Sequence, residues 1–284
     1  MENKPSIGDI RDRIIGSVHP DIRVGRPVPL SACRMHKSYL LSKAGLPQDK
    51  GSVLMLAVPY YTTYCERKHN VSVYSVSEDY HLYFKALFDD LVAELESAFP
   101  GVRFAGFADH SPIQEVHAAM LAGLGVIGAN HLLITKEYGS YVFLGEIITD
   151  LETEELTAQA PSFCLNCQLC RKICPVGSDM TKCLSALTQK KGPLSPEEES
   201  VLSGTDLLWG CDQCQDVCPL NHGVRHSAIP FFGNAPIPEL TSEVLDRMDA
   251  ETFSRRAYSW RGRAVPERNL RLHQDPDSDR KDTD

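Results

Sequence analysis

Apolar residues fall into distinct patterns along this chain. Ser52 to Pro59 is an unbroken apolar run rich in β-formers, which predicts a buried strand ended by proline. Between Glu78 and Phe99, apolar side chains recur at Tyr80, Phe84, Leu87, Leu91 and Leu95, the spacing of one helix face, and Pro100-Gly101 stops the pattern. Val102 to Ala108 predicts a second strand. Pro112 to Leu121 predicts a helix, with Asp109 or Ser111 placed to cap it. Gly123, Gly125 and Gly128 come soon after. His131 to Thr135 and Tyr141 to Ile148 then predict the two strands of a hairpin turning at Tyr138-Gly139-Ser140. Before residue 30 the pattern is weaker: Ile10, Ile14 and Ile15 can line a short helix face, and Pro20, Pro27 and Pro29 then interrupt it. Alternating strands and helices predict an α/β layered domain. After Pro219 the chain turns proline-rich and then polar, and Gln274 to Asp284 reads as a frayed tail.

Composition narrows the class. With 284 residues, 42% hydrophobic and 24% charged, the chain has enough apolar material for one large domain or two modest ones, which excludes wholesale disorder. No run approaches the roughly 20 apolar residues that span a bilayer. Met1 to Pro5 lacks the apolar core of a secretory signal, so a cytoplasmic location and no membrane contact are expected. A net charge of −9 argues against gripping nucleic acid by bulk charge. The ten cysteines change the picture most, because a cytosolic chain keeps them reduced and metal binding then outranks disulfides.

Cys164, Cys167, Cys170 and Cys174, with Pro175 after them, spell C-x2-C-x2-C-x3-C-P, and Cys211, Cys214 and Cys218, with Pro219, spell C-x2-C-x3-C-P. The first run has the bacterial ferredoxin spacing, in which three thiolates hold one [4Fe–4S] cube and the fourth ligates a second cube. Two-residue loops let successive sulfurs reach neighbouring corners of a small cube. Two cubes need eight thiolates; the runs supply seven, and Cys183 between them is the natural eighth. This assigns Cys164, Cys167, Cys170 and Cys218 to one cluster and Cys174, Cys183, Cys211 and Cys214 to the other. Two zinc sites or a disulfide knot are the alternatives, but zinc prefers separated pairs around a tetrahedron. Cys33 and Cys65 read as buried small apolar residues.

Two cubes in series are an electron wire, and the first 160 residues are long enough to hold a site that consumes the electrons. Gly123 to Gly128 has the letters G-x-G-x-x-G but comes after a helix and before a strand, the reverse of a dinucleotide site. It reads as a tight turn with close packing, or as bare backbone lying against a flat cofactor. No D-x-H-x-x-G run is present to supply a histidine to cobalamin cobalt.

Several motifs in order resemble the epoxyqueuosine reductase family: Asp79-Tyr80-His81; Asp109 to Glu115; Ala122 to Asn130; Gly139 to Ile147; both cysteine runs; Cys183 to Leu187; and Gly210 to Asn221. The resemblance covers roughly residues 50 to 222. It implies a short form, without the C-terminal helical-repeat domain of longer members, related in architecture to reductive dehalogenases. It further implies an α/β (α+β) fold, a nitroreductase-like corrinoid-binding domain with an inserted ferredoxin-like double [4Fe–4S] module. The corresponding divisions are 1–160, 161–225 and 226–284. The implied cofactors are two [4Fe–4S] clusters and base-off cobalamin, and the implied reaction is two-electron reduction of epoxyqueuosine to queuosine in tRNA. Asp109 takes the place of the catalytic acid, and His81, Asn130, Leu133, Leu144 and Asp212 those of cofactor-binding residues. Ala129 stands where the family usually has lysine.

A carboxylic acid near the reacting carbon can protonate the oxyanion left by epoxide opening if burial raises its pKa, and Asp109, at the end of an apolar strand, is expected to be so buried. Glu115 is expected to be an exposed or capping carboxylate. A tRNA partner would need a basic patch, for which Arg255, Arg256, Arg261, Arg263, Arg268 and Arg271 are the candidates. An external low-potential electron donor is implied, and a monomer is expected. Two other functions fit the same cysteines: a corrinoid reductase acting on a small molecule or another protein's corrinoid, and a two-cluster electron-transfer protein.

Overall fold

The computed structural model describes residues 5–154, 163–176 and 183–273; the polar tail expected from Gln274 onward lies outside them. Contacts group the chain into two compact units, Met1–Tyr60 with Tyr80–Cys167 and Pro219–Ile229, and Tyr61–Asp79 with Gln168–Cys218 and Pro230–Asp284.

The first unit contains helices α1 (Ile7–Ser17), α2 (Tyr39–Lys43), α3 (Tyr80–Ala98) and α4 (Glu115–Leu121). Its strands are β1 (Arg23–Val24), β2 (Val28–Pro29), β3 (Ser52–Pro59), β4 (Phe104–Phe107), β5 (Val126–Ile127), β6 (Leu133–Ile134) and β7 (Val142–Thr149). One antiparallel sheet runs β1-β3-β7-β4, with β2 also paired to β3. Every residue of β3 is buried, because it lies between β1 and β7 and is covered on both faces, so its sequence is continuously apolar. The two-residue alternation of β7 separates those faces. Gly145 points at α3, where an added Cβ would stand 2.5 Å from the Phe84 ring. Leu144, Glu146 and Ile148 point the other way, and Leu144 and Ile148 join the core formed with Ala118 and Ala119 of α4. The sheet is thus layered between α3 and α4, and α1, capped reciprocally by Ser6 and Asp9, buries Ile10 and Ile14 while Ile15 stays exposed.

Two local expectations give way to longer-range pairing. Tyr141 to Ile148 does not return onto His131 to Thr135. Instead β7 pairs along its whole length with β3 and over four residues with β4, while Leu133-Ile134 pairs with Val126-Ile127. A strand apolar on both faces gains more from two neighbours in a covered sheet than from one in an open hairpin. Helix α4 begins at Glu115, and neither Asp109 nor Ser111 caps it. The Pro112-Ile113 stretch is held extended: Ile113 bridges to Met35, and the N–H groups of His36 and Lys37 donate to Pro112 O.

The second unit holds α5 (Leu169–Ile173), α6 (Leu184–Thr188), α7 (Pro196–Ser203), α8 (Gln213–Asp216), α9 (Ser242–Asp246), α10 (Ala250–Ser254) and α11 (Ala264–His273). These helices are short, so their stability comes from packing around Trp209, Tyr258, Leu240 and Leu245 rather than from propensity. Trp209 Nε1 donates to Tyr74 Oη at 2.8 Å, and buried Asn269 donates to the carbonyls of Thr188 and Leu208, so these central polar groups are satisfied. Among the described residues, no helix is long and apolar enough to cross a membrane.

Candidate functional site

Strand β4 ends at Phe107, and the chain turns sharply: His110 N–H donates to Ala108 O at 2.6 Å, and Asp109 takes a φ of 61°. Aspartate tolerates this left-handed conformation better than most residues. The turn brings Asp109 Oδ2 within 3.5 Å of His81 Nε2, at the first turn of α3, while Lys37 Nζ lies 3.2 Å from His110 Nδ1. His81 stacks on Tyr80, whose other face stacks on Phe143 of β7 with ring centres 4.2 Å apart. Asp109, His81, His110 and Lys37 therefore gather at one end of the sheet.

The electrostatics differ from the expectation for Asp109. Its side chain is 66% exposed, and the hydrogen bond and charge of His81 hold its carboxyl below the usual range rather than burial lifting it. The raised carboxyls stand immediately behind it. Glu115 Oε1 accepts the Asp109 N–H at 2.9 Å, and burial pushes the Glu115 carboxyl up to about 7, which corrects its reading as an exposed or capping group. Glu146, fully buried in β7, is hydrogen bonded to Glu115 and accepts from Ser111 Oγ; burial, then the neighbouring Glu115, raises it well above the usual carboxylate range. Glu146 escaped the sequence reading, although a lone acid between Gly145 and Ile147 in an apolar strand is itself a signal.

The other candidates are placed unequally. His81 is half exposed, and Asn130 and Leu144 are partly exposed. Leu133 is buried in the core of the first unit. Asp212 is buried in the second unit, where its carboxylate accepts from Ser72 Oγ at 2.6 Å, Val73 N–H at 2.7 Å and Gln215 Nε2 at 2.9 Å. The glycine-rich segment packs against its own chain: a Cβ on Gly125 would meet Ile134 O at 2.3 Å.

The eight expected cluster cysteines are not joined in disulfides. Within the second unit, the charges of Cys183 and Cys174 reach Cys211, whose thiol is pushed up to about 11, chiefly by burial. The spacing assigns these three to one cluster. Among the described residues, no three His, Cys, Asp or Glu side chains converge closely enough for a single metal ion. Eight thiolates at these short intervals are the donor set of two [4Fe–4S] cubes. Cys33 and Cys65 are both buried.

Four of the six C-terminal arginines named for a basic patch are engaged within the second unit. Arg255 grips the Glu78 carboxylate with two nitrogens, buried Arg256 donates to Val76 O and Ala235 O, Arg263 to Leu245 O and Met248 O, and Arg268 to Lys190 O and Gly192 O. Local charge density in a sequence does not reveal such carbonyl partners.

These features define an iron–sulfur protein built on an α/β layered unit: residues 163–221 match the 4Fe-4S double cluster binding domain. Residues 43–110 match the family described as Epoxyqueuosine reductase QueG, DUF1730. The chain is 36% identical over 219 residues to the epoxyqueuosine reductase of Gloeobacter violaceus, covering 70% of this chain and 67% of that one. It is 34% identical over 218 residues to that of Lactococcus garvieae, covering 72% of this chain and 61% of the relative. A crystal structure of selenomethionine-labelled epoxyqueuosine reductase superposes with a TM-score of 0.75 at 25% identity, over 94% of this chain and 82% of that one. The Streptococcus thermophilus enzyme superposes with a TM-score of 0.72 at 25% identity, over 94% and 80%. The chain belongs to the epoxyqueuosine reductase family. It spans 61% of the Lactococcus garvieae relative and 53% of the Listeria monocytogenes one.

Proposed function

We propose that this chain is a cobalamin-dependent epoxyqueuosine reductase that converts epoxyqueuosine to queuosine in tRNA in the cytoplasm. Removing the epoxide oxygen as water consumes two electrons and two protons. The eight cysteines would hold two [4Fe–4S] clusters, four thiolates to each, fed by an external low-potential donor. A bound corrinoid would supply a strong reductant at carbon. The half-exposed imidazole of His81 and the partly exposed Asn130 and Leu144 suit a flat macrocycle edged with amides. Leu133 and Asp212 have side chains already engaged inside their units and serve as supports of the fold.

The observation that carries the reading is the Asp109–His81 pair on the turn after β4. Asp109 is held below its usual range, so its carboxyl rests ionised at neutral pH, and an acid role needs a proton delivered to it across the His81 contact. Delivered through Asp109, that proton would neutralise the oxyanion formed as the C–O bond breaks, and Lys37 beside His110 would offset the remaining negative charge. A similarly folded epoxyqueuosine reductase is known with an epoxyqueuosine-modified tRNA stem loop, the same class of substrate.

The test is an oxygen-free preparation with reconstituted clusters and added cob(II)alamin. A base-off cobalt signal by EPR that stays with the protein through gel filtration is expected, together with conversion of epoxyqueuosine in tRNA. Asp109→Asn should retain both cofactors and lose activity by about 10²- to 10⁴-fold, the range for a general acid. Undiminished activity would remove Asp109 from the role. A second reading, reduction of a small molecule, is favoured by the arginines spent on internal carbonyls; it predicts turnover of the free nucleoside and no salt-dependent tRNA binding.

A further inference from the structure

Behind Asp109 stand two carboxyl groups that the proposed reaction does not use. Glu146 Oε2 is buried and has no donor among the described residues as long as both glutamates are ionised. Its other oxygen accepts from Ser111 Oγ, and Ser111 Oγ in turn accepts from Ile113 N–H at 3.1 Å, so Glu146 is anchored on its Oε1 side. The glutamates come from different elements, Glu115 from the first turn of α4 and Glu146 from the middle of β7, and their carboxyls meet in a hydrogen bond. Two carboxylates cannot bond to each other without a proton, and leaving a buried oxygen unpaired is costly. One proton between them resolves both problems. Glu115 keeps its Oε1 for the Asp109 N–H.

We propose that Glu115 and Glu146 share a proton and that Glu115, held by it, is a positioning residue that fixes the Asp109 turn. The inference rests on the reading of Asp109 as the acid. Removing the proton sets two negative charges in contact where Glu146 is fully buried and anchored by Ser111, so Glu115, at the helix edge, swings away and releases the Asp109 N–H. Asp109 at φ 61° then loses the contact that holds its uncommon backbone. Other groups facing the pair do not replace the proton. Asp109 adds negative charge, His81 offers compensating positive charge from α3, Lys37 acts on Asp109 rather than on the pair, and Cys33, facing Glu146, has its thiol pushed up to about 12 and stays neutral. Burial raises both glutamates: Glu115 ionises at about 7, and Glu146, raised by burial and then by the Glu115 charge, keeps the shared proton until the pH rises beyond that.

The test uses the full chain with its cofactors. In wild type, infrared difference spectroscopy should show a protonated carboxyl, recognised by its shift in heavy water, that survives the ionisation of Glu115 at about 7 and disappears only at more alkaline pH. It should persist in Asp109→Asn and titrate at lower pH in Glu115→Gln, whose amide can both accept from Asp109 N–H and donate to Glu146. Hydrogen exchange in the 107–112 segment should quicken above neutral pH beyond its intrinsic rate in wild type, and not in Glu115→Gln. Epoxide reduction should fall about 10- to 100-fold on the alkaline side in wild type, the scale of a misplaced catalytic group, with a flat profile in Glu115→Gln and a low one throughout in Glu115→Ala. A wild type with no titrating protonated carboxyl, or a Glu115→Gln variant that keeps the wild-type exchange profile, would overturn the proposal. If Asp109→Asn reduces the epoxide normally, the acid reading fails alone, and the infrared and exchange results still decide the pair.

Discussion

Asp212 shows how a residue beside a motif can carry part of the fold. Its carboxylate collects donors from Ser72, Val73 and Gln215, closing the 72–73 segment onto the start of α8. Replacing it by alanine leaves two of these donors in a buried place without an acceptor, and each unsatisfied group costs about 1–3 kcal/mol. Asp212→Ala should therefore lower unfolding stability by about 2–5 kcal/mol in a denaturant titration of the cluster-loaded protein, and a loss under about 1 kcal/mol would contradict this account. The carboxyl pair makes a residue-scale prediction of its own. Glu115 has a folded pKa raised from 4.5 to about 7, so the folded chain binds its proton more tightly than the unfolded one. That contribution is complete below 4.5 and is lost as pH rises through about 7. The melting temperature of Glu115→Gln minus that of wild type should rise across this window and level off above it. Neither residue's role was legible in sequence. Glu146 and Glu115 are 31 positions apart, and Asp109 and His81 are 28 apart, so burial and pairing are settled only when the strands assemble.

At the scale of elements, the long patterns were legible and the short ones were not. The runs over β3 and α3 announce themselves because each carries one uninterrupted period. The two-residue strands β5 and β6 are too short to carry a period, and their pairing depends on Gly125 admitting the backbone of Ile134. Glycines also set how closely α3 approaches the sheet. A Cβ on Gly106 of β4 would lie 2.3 Å from Phe88 Cγ, near the rigid root of that side chain, so the helix or ring must shift. Gly106→Ala should cost about 1–3 kcal/mol, as overpacking usually does. In Phe88→Ala the space is free, and adding Gly106→Ala there should cost less than it does alone, a non-additivity measurable by a double-mutant cycle. Additive losses would mean that the glycine serves backbone conformation and not the helix–sheet contact.

Across the whole molecule, the cysteine spacing was the most legible feature, because thiolates on a cube must recur at fixed short intervals whatever surrounds them. The same chemistry divides the chain's stability unevenly. The first unit owns a sheet whose strand β3 is buried along its whole length, over a continuous apolar core. The second is assembled from helices of four to ten residues, and six of the eight proposed ligands, from Cys170 to Cys218, belong to it. Helices that short are marginal by themselves, so cluster binding should be a large part of that unit's folding free energy. Cys33 and Cys65 report on the two units separately. Both are buried thiols raised by burial, one under the sheet of the first unit and the other in the 61–79 segment of the second. Removing iron with a chelator and alkylating the protein in its native buffer should label the eight cluster cysteines quickly. If the second unit opens with them, Cys65 should be labelled at nearly the same rate while Cys33 stays protected, and β3 and β7 should keep slow hydrogen exchange. Protection of both Cys33 and Cys65 after complete iron loss would show that the second unit stands on its Trp209 core alone. Joint labelling of the two would instead show that neither unit folds without the clusters.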